Sequence, residues 1–246
     1  MIDIEVIYED EDILIINKPS GVIVNKADTT RHEFTVQDWL EQGPRAKYYL
    51  KPTSDLESDF YNRAGIVHRI DKETSGILII AKNLASFENL QAQFKDRRVE
   101  KTYVALAHGK IQPEEGEISV PVGRLPWNRT RFGVLAGGKE SLTKYKVITQ
   151  FKSPAKQGEY LTLLELYPKT GRTHQIRVHL KHINHPIFGD ELYAGRKTSR
   201  DDRKFLERFF LHAKKISFFH PKTGKREEFE SQFPQELQNM LDALGR

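Results

Sequence analysis

The sequence predicts an α+β fold, and three observations carry that expectation. Short apolar runs rich in β-branched residues, such as 13–16, 77–81 and the segment EYLTLLELY from Glu159, read as strands. Turn signals separate them, among them Pro19-Ser20-Gly21 and Pro221-Lys222-Thr223-Gly224. Stretches with apolar residues three or four apart, the helical signature, are fewer.

Taken in order, residues 4–8, 13–16 and 22–24 read as three strands joined by turns, with Lys18-Pro19-Ser20-Gly21 before the third. Val36, Trp39 and Leu40 give 31–42 helical spacing, and 43–63, with Gly43, Pro44 and Pro52, reads as a polar loop. Its RAKYYLK core suits either a solvated loop or contacts to phosphates and bases. Ile66 and Val67 precede a polar loop around Asp71, and a buried strand over 77–81 follows it, with Gly76 as the break between. Asn83 can cap a helix whose apolar positions are Leu84, Phe87, Leu90 and Phe94, ending in the basic KDRRVEK. A strand is expected over 100–111, then a Gly- and Pro-rich segment over 112–143, then the strands KYKVITQF and EYLTLLELY. After a turn at 168–171, Ile176, Leu180 and Ile183 mark one buried helix face, with His174, Arg177 and Lys181 on a neighbouring stripe. A basic stretch at 196–204 precedes a hairpin of 211–220 and 226–229. Pro234 opens a last helix with Leu237, Met240, Leu241 and Leu244 on one side. No repeat and no linker interrupts the chain, so a single domain over 1–246 is expected.

Composition supports a globular chain, since 38% hydrophobic residues suffice for a core and the 30% charged content belongs on its surface. Lysine and arginine exceed acids by 39 − 34 = 5, an excess compatible with a phosphate-rich partner. There is no cysteine, which excludes disulfides, thiolate metal sites and a cysteine nucleophile. With no basic-then-apolar leader and no apolar run of about 18 residues, the expectation is a cytoplasmic protein away from the membrane. Two motifs are chance: GVLAGGKE has the spacing of a phosphate loop, but Glu140 stands where the metal-binding Ser or Thr belongs, and Asn128-Arg129-Thr130 lacks a secretory context. The histidines at 174, 179, 182 and 185 lack same-face metal spacing and an acidic partner set, so no metal is expected.

The densest polar loop is His68-Arg69-Ile70-Asp71-Lys72-Glu73-Thr74-Ser75-Gly76. Read by residues alone, it is as well a turn whose side chains bond their own backbone as a site. The string closely resembles the H-R-L/I-D-x-x-T-S-G signature of the RluA-type pseudouridine synthases, which isomerise uridine within RNA. NKPSGVIV from Asn17 resembles the family's first motif, Lys101-Thr102-Tyr103 its K-x-Y, and T-G-R-T-H-Q-I-R-V-H its third, and the resemblance runs from Asn17 to Pro221.

The resemblance implies a mixed, mainly antiparallel central sheet and a cofactor-free isomerase acting on a tRNA or rRNA stem-loop, with no metal and as a monomer. It implies Asp71 as the catalytic carboxylate, Arg177 as its partner and Tyr103 beside it, as proton carrier or stacking platform. His68, Arg69, Thr74, Arg172, His174, Gln175 and Ile176 would contact substrate. Arg69 is the candidate wedge for the gap left by a flipped base; a salt bridge on the loop is the other reading. The first motif begins so early that no S4-type RNA-binding domain is expected ahead of it, leaving recognition to the basic segments 43–51, 95–101 and 196–204. The rival readings are a nucleoside or RNA glycoside hydrolase, which needs a second carboxylate and has only Glu73 nearby in sequence, and a non-catalytic RNA-binding module.

Overall fold

The computed structural model describes residues 2–27, 32–49 and 58–245. The chain forms two compact units, Met1–Glu100 with Lys215–Gln232, and Lys101–Lys214 with Phe233–Arg246. Two of their three boundaries, at 100/101 and 214/215, fall within strands, and the third lies in the short segment 231–234, so no long polar linker marks the division.

In the first unit, β1 (Glu5–Glu9), β2 (Ile13–Lys18) and β3 (Ser75–Ala81) pair antiparallel, with β2 and β3 in register from Ile13↔Ala81 to Lys18↔Gly76. Ile13 to Ile16 and Leu78 to Ala81 are fully buried, which is why these strands are continuous apolar runs and not alternating ones. The second half of β10 (Leu211–Phe219) and β11 (Arg226–Glu230) form the expected hairpin. The helices are α1 (Val36–Gln42), α2 (Asp59–Asn62) and α3 (Leu84–Lys95). Thr35 and Asp38 cap α1 reciprocally, so the helix starts five residues later than its apolar spacing suggested. Asn83 caps α3 as expected, accepting from Ser86 N at 2.9 Å, and Phe87 and Leu90 are buried beneath it. Leu84, expected on that face, is exposed.

The expected strand over 22–24 is a single bridge, Ile23 to Thr35, with the carbonyls of Ile23 and Val24 accepting from Val36 N and Gln37 N at the head of α1. Gly76, expected as a break, lies within β3 at φ +114°, and the strand begins at Ser75. Within RAKYYLK, Ala46–Tyr48 form one 3₁₀ turn, while Leu50 and Lys51 lie outside the described residues.

The second unit contains a sheet in the order β10-β4-β9-β8-β5, with β4 (Glu100–His108), β5 (Glu115–Ser119), β8 (Leu142–Lys152) and β9 (Tyr160–Pro168). The β4–β9, β8–β9 and β5–β8 pairs are antiparallel, as the expected sheet requires. Strand alternation decides what covers each face. Ala105, Ala107, Leu164 and Leu166 pack with Ile176 and Leu180 of α4 (Gln175–His182). Val104, Leu106, Leu161 and Leu163 pack with Leu237 and Met240 of α6 (Gln235–Leu244).

The segment 112–143 holds β5 and a separate hairpin, β6 (Val122–Leu125) with β7 (Asn128–Val134), which its glycines and prolines concealed. The basic stretch at 196–204 is a helix over most of its length, α5 (Arg196–Asp202), and 95–101 divides between the end of α3 and the head of β4. Among the described residues, no helix is long and apolar enough to cross a membrane.

Candidate functional site

The loop bearing Asp71 is fixed from below by the first motif. Lys18 is fully buried at the end of β2, and its ammonium donates to three carbonyls: Pro19 at 2.8 Å, Val22 at 2.8 Å and Lys72 at 3.0 Å. Burying an ammonium is costly unless its donors are used, and here they draw the 19–22 turn and the residue after Asp71 onto one point. Gly21 N also donates to Lys72 O at 2.9 Å, and Ser20 Oγ to Glu73 O at 2.8 Å. Asp71 closes its own turn, accepting from Thr74 N at 3.1 Å. Its side chain is half-buried, on a loop pinned at both ends.

The neighbours of Asp71 divide by task. His68 Nε2 accepts from Ile79 N at 3.0 Å and its ring stacks on Phe94 at 4.8 Å, which fastens the loop to β3 and α3. Thr74 is buried, and its hydroxyl has no hydrogen-bond partner among the described residues. Arg69 is exposed, and its guanidinium makes neither hydrogen bond nor ion pair among the described residues.

In the second unit, Tyr103 is half-buried on β4 and packs against the cluster of Ile176, Leu180 and Phe209. Arg177, one residue beyond Ile176, is buried, and its Nε and Nη2 donate to Asp190 Oδ2 at 2.7 Å and Oδ1 at 2.9 Å. The guanidinium carbon lies 4.4 Å from the ring centre of Phe209 and 5.0 Å from that of Tyr193. Phe209 belongs to the apolar cluster against which Tyr103 packs. Asp190 is itself fixed by Leu192 N at 3.0 Å and Tyr193 N at 3.2 Å. Gly189 before it has φ +79°, and a Cβ there would lie 2.5 Å from Arg208 O, so only glycine lets the chain pass this closely.

His174 caps α4 in the left-handed region at φ 55°, a conformation that costs a non-glycine residue about 1 kcal/mol or more. Its Nδ1 lies 2.9 Å from Tyr193 Oη, and that oxygen also accepts from Phe132 N at 3.1 Å. Gln175 is a buried clip: Oε1 accepts from Thr170 Oγ1 and Arg172 N, and Nε2 donates to Leu142 O and Thr143 Oγ1. Arg172 Nε donates to Glu140 O at 3.2 Å. Ile176 is in the core, and Lys181, expected on a stripe with Arg177, is exposed while Arg177 is buried. Asp190 and Tyr193 escaped the sequence reading; the signal was Gly189-Asp190, a glycine before a carboxylate directly after the apolar Pro186-Ile187-Phe188.

One buried titratable group supports α4. Ser141 Oγ donates to Val120 O at 2.6 Å and so accepts from His179 Nε2 at 2.9 Å, which leaves Nδ1 buried and without a partner among the described residues. Burial lowers the His179 pKa to about 4.

A family model described as RNA pseudouridylate synthase matches residues 12–182. The chain is 38% identical over 247 residues to an uncharacterized RNA pseudouridine synthase of Aquifex aeolicus, covering 99% of this chain and 73% of that protein. It is 34% identical over 252 residues to the ribosomal large subunit pseudouridine synthase D of Salmonella typhimurium, covering 99% of this chain and 71% of the relative. The solved structure of human RNA pseudouridylate synthase domain containing 1 superposes with a TM-score of 0.69 at 28% identity, over 99% of this chain and 95% of that one. The family match takes in the braced loop of Asp71, the strand of Tyr103 and the helix of Arg177, and with relatives this similar over nearly the whole chain, the protein belongs to the RNA pseudouridine synthase family of isomerases.

Proposed function

We propose that the chain isomerises uridine in large-subunit ribosomal RNA, with Asp71 as the reacting carboxylate and Tyr103 and Arg177 as further groups of the reaction. The observation that carries the reading is the bracing of Asp71: a buried lysine, a glycine amide and a serine hydroxyl hold the backbone of its turn, as a reacting carboxylate requires. The choice of RNA follows from relatives such as the ribosomal large subunit pseudouridine synthase D of Salmonella typhimurium.

The reaction breaks the N1–C1′ bond, turns the detached base, joins C5 to C1′ and moves the C5 proton to solvent while N1 gains one. Atoms and electrons balance without an oxidant or reductant. As the glycosidic bond breaks, C1′ becomes electron-poor, and the Asp71 carboxylate attacks it or stabilises the charge. Arg177 is fixed by its bidentate ion pair with Asp190 and brings a positive charge to the substrate. Tyr103 offers a ring to stack on and a hydroxyl to move the C5 proton. Arg69, exposed and unpaired among the described residues, fills the space the uridine leaves. Relatives such as the Aquifex aeolicus and Salmonella typhimurium proteins are bacterial, and an enzyme of their kind would meet ribosomal RNA in the cytoplasm.

The test is direct. The protein is incubated with unmodified large-subunit rRNA and, separately, with tRNA, and the RNA is digested to nucleosides. Pseudouridine from rRNA supports the reading; free uracil would point to a glycoside hydrolase, and unaltered uridine in both to a binding module.

A further inference from the structure

Lys101 stands at the head of β4, two residues before Tyr103 and so on the same face of the strand. It is half-buried, yet among the described residues its ammonium has no hydrogen bond and no ion pair. The register Tyr103↔Leu166, continued by two residues, brings Lys101 alongside the end of β9 at Pro168, next to Lys169. Lys169 is exposed and likewise has no acidic partner among the described residues. Burial, and then the charge of Lys169, lower the Lys101 pKa to about 8. Elsewhere the fold supplies a buried lysine with acceptors, as for Lys18 with its three carbonyls and Lys82 with Glu9 at 3.0 Å. Two neighbouring ammonium groups without acceptors repel one another and cost stability, so a residue pair of this kind calls for an anion from outside.

We propose that Lys101 and Lys169 form a binding site for a phosphate group of the RNA backbone, beside Tyr103. This rests on the reading of Tyr103 as part of the site, and it deepens that reading by assigning a specific backbone contact. A lysine is suited to the task because its ammonium is a compact charge that meets phosphate from any direction, whereas a purely structural residue here would be apolar. Occupation by phosphate removes the repulsion between the two cations and gives the Lys101 ammonium the acceptor it lacks.

The experiment compares Lys101→Met, Lys101→Arg and Lys169→Met with the wild type in binding large-subunit rRNA over a range of salt. Methionine keeps the stem and removes the charge, and Lys169 is exposed, so its variant tests the site even where Lys101→Met fails to fold. Each Met variant is expected to bind about tenfold more weakly near physiological salt, and to reduce the slope of log K against log[salt] by about 0.7 to 0.9, while Lys101→Arg keeps the wild-type slope. NMR of the lysine Cε–Hε signals, with oligouridylate and inorganic phosphate as separate probes, should show Lys101 and Lys169 moving with the oligonucleotide at lower concentration than with phosphate. Wild-type slopes in both Met variants overturn the proposal, as do lysine signals that ignore the oligonucleotide or respond to inorganic phosphate alone. Binding needs no turnover: slopes that fall in a protein making no pseudouridine would leave the phosphate site standing and remove the proposed reaction, whereas active enzyme with unaltered slopes would do the reverse.

Discussion

Arg177 and Asp190 form a buried bidentate ion pair, Nε to Oδ2 at 2.7 Å and Nη2 to Oδ1 at 2.9 Å, between α4 and the turn that follows Gly189. Two of the donors on the guanidinium are thereby spent on aiming it, and its carbon lies 4.4 Å from the ring centre of Phe209. Asp190→Ala leaves that cation uncompensated in the core and is expected to destabilise the protein by about 3 to 5 kcal/mol in urea unfolding. Asp190→Asn keeps the shape and weakens the hold; it should lower the rate at saturating RNA by about a hundredfold, as a misdirected group does, while RNA binding is kept. A normal rate in the Asn variant would free Asp190 of any positioning role.

Lys18 makes a second prediction on the other unit. Lys18→Met removes a buried charge together with the donors for three carbonyls, and each buried acceptor left open costs about 1 to 3 kcal/mol. Lower stability is expected together with a loss of turnover that stabilising osmolytes do not restore, because the turn after Asp71 loses its anchor at Lys72. Full recovery of turnover on stabilisation would limit Lys18 to folding.

His179 makes the stability of the protein pH-dependent. Its pKa lies near 4 in the folded state against 6.5 ordinarily, so between those values the unfolded chain binds more protons. The contribution is complete above about pH 6.5 and is lost as pH falls toward 4, amounting to on the order of 3 kcal/mol. His179→Gln keeps a donor for Ser141 and does not titrate, so its stability should fall less over that window by about this amount. Parallel pH curves for the two proteins would show that His179 is not the group responsible.

The sequence discloses the elements whose signals are local. Asn83 as a cap, the hairpin around 221–224, and the continuous apolar runs of β2 and β3 were legible because cap, turn and burial are each written in adjacent residues. The three strands in 112–143 were not, since their glycines and prolines mimic a loop and β5 finds its partner β8 at a distance. Asp71, Tyr103 and Arg177 were found by resemblance; their residue types alone fit turns and cores equally well. What the sequence hid is the support: Asp190 reaches Arg177 across 13 positions and Lys18 reaches Lys72 across 54, separations that no spacing rule relates. The two-unit division was hidden for the same reason, because it cuts through β10.

The central claim is that Asp71 performs the chemistry, and its most direct test is the pseudouridine content of large-subunit rRNA after incubation with Asp71→Asn beside the wild type. The substitution replaces one reacting oxygen by an amide and leaves shape and basic surface as they were. Wild-type protein should form pseudouridine and Asp71→Asn none, with RNA affinity within about tenfold of the wild type, since phosphate contacts carry most of the binding. Pseudouridine formed by the Asn variant at more than a trace would contradict the account.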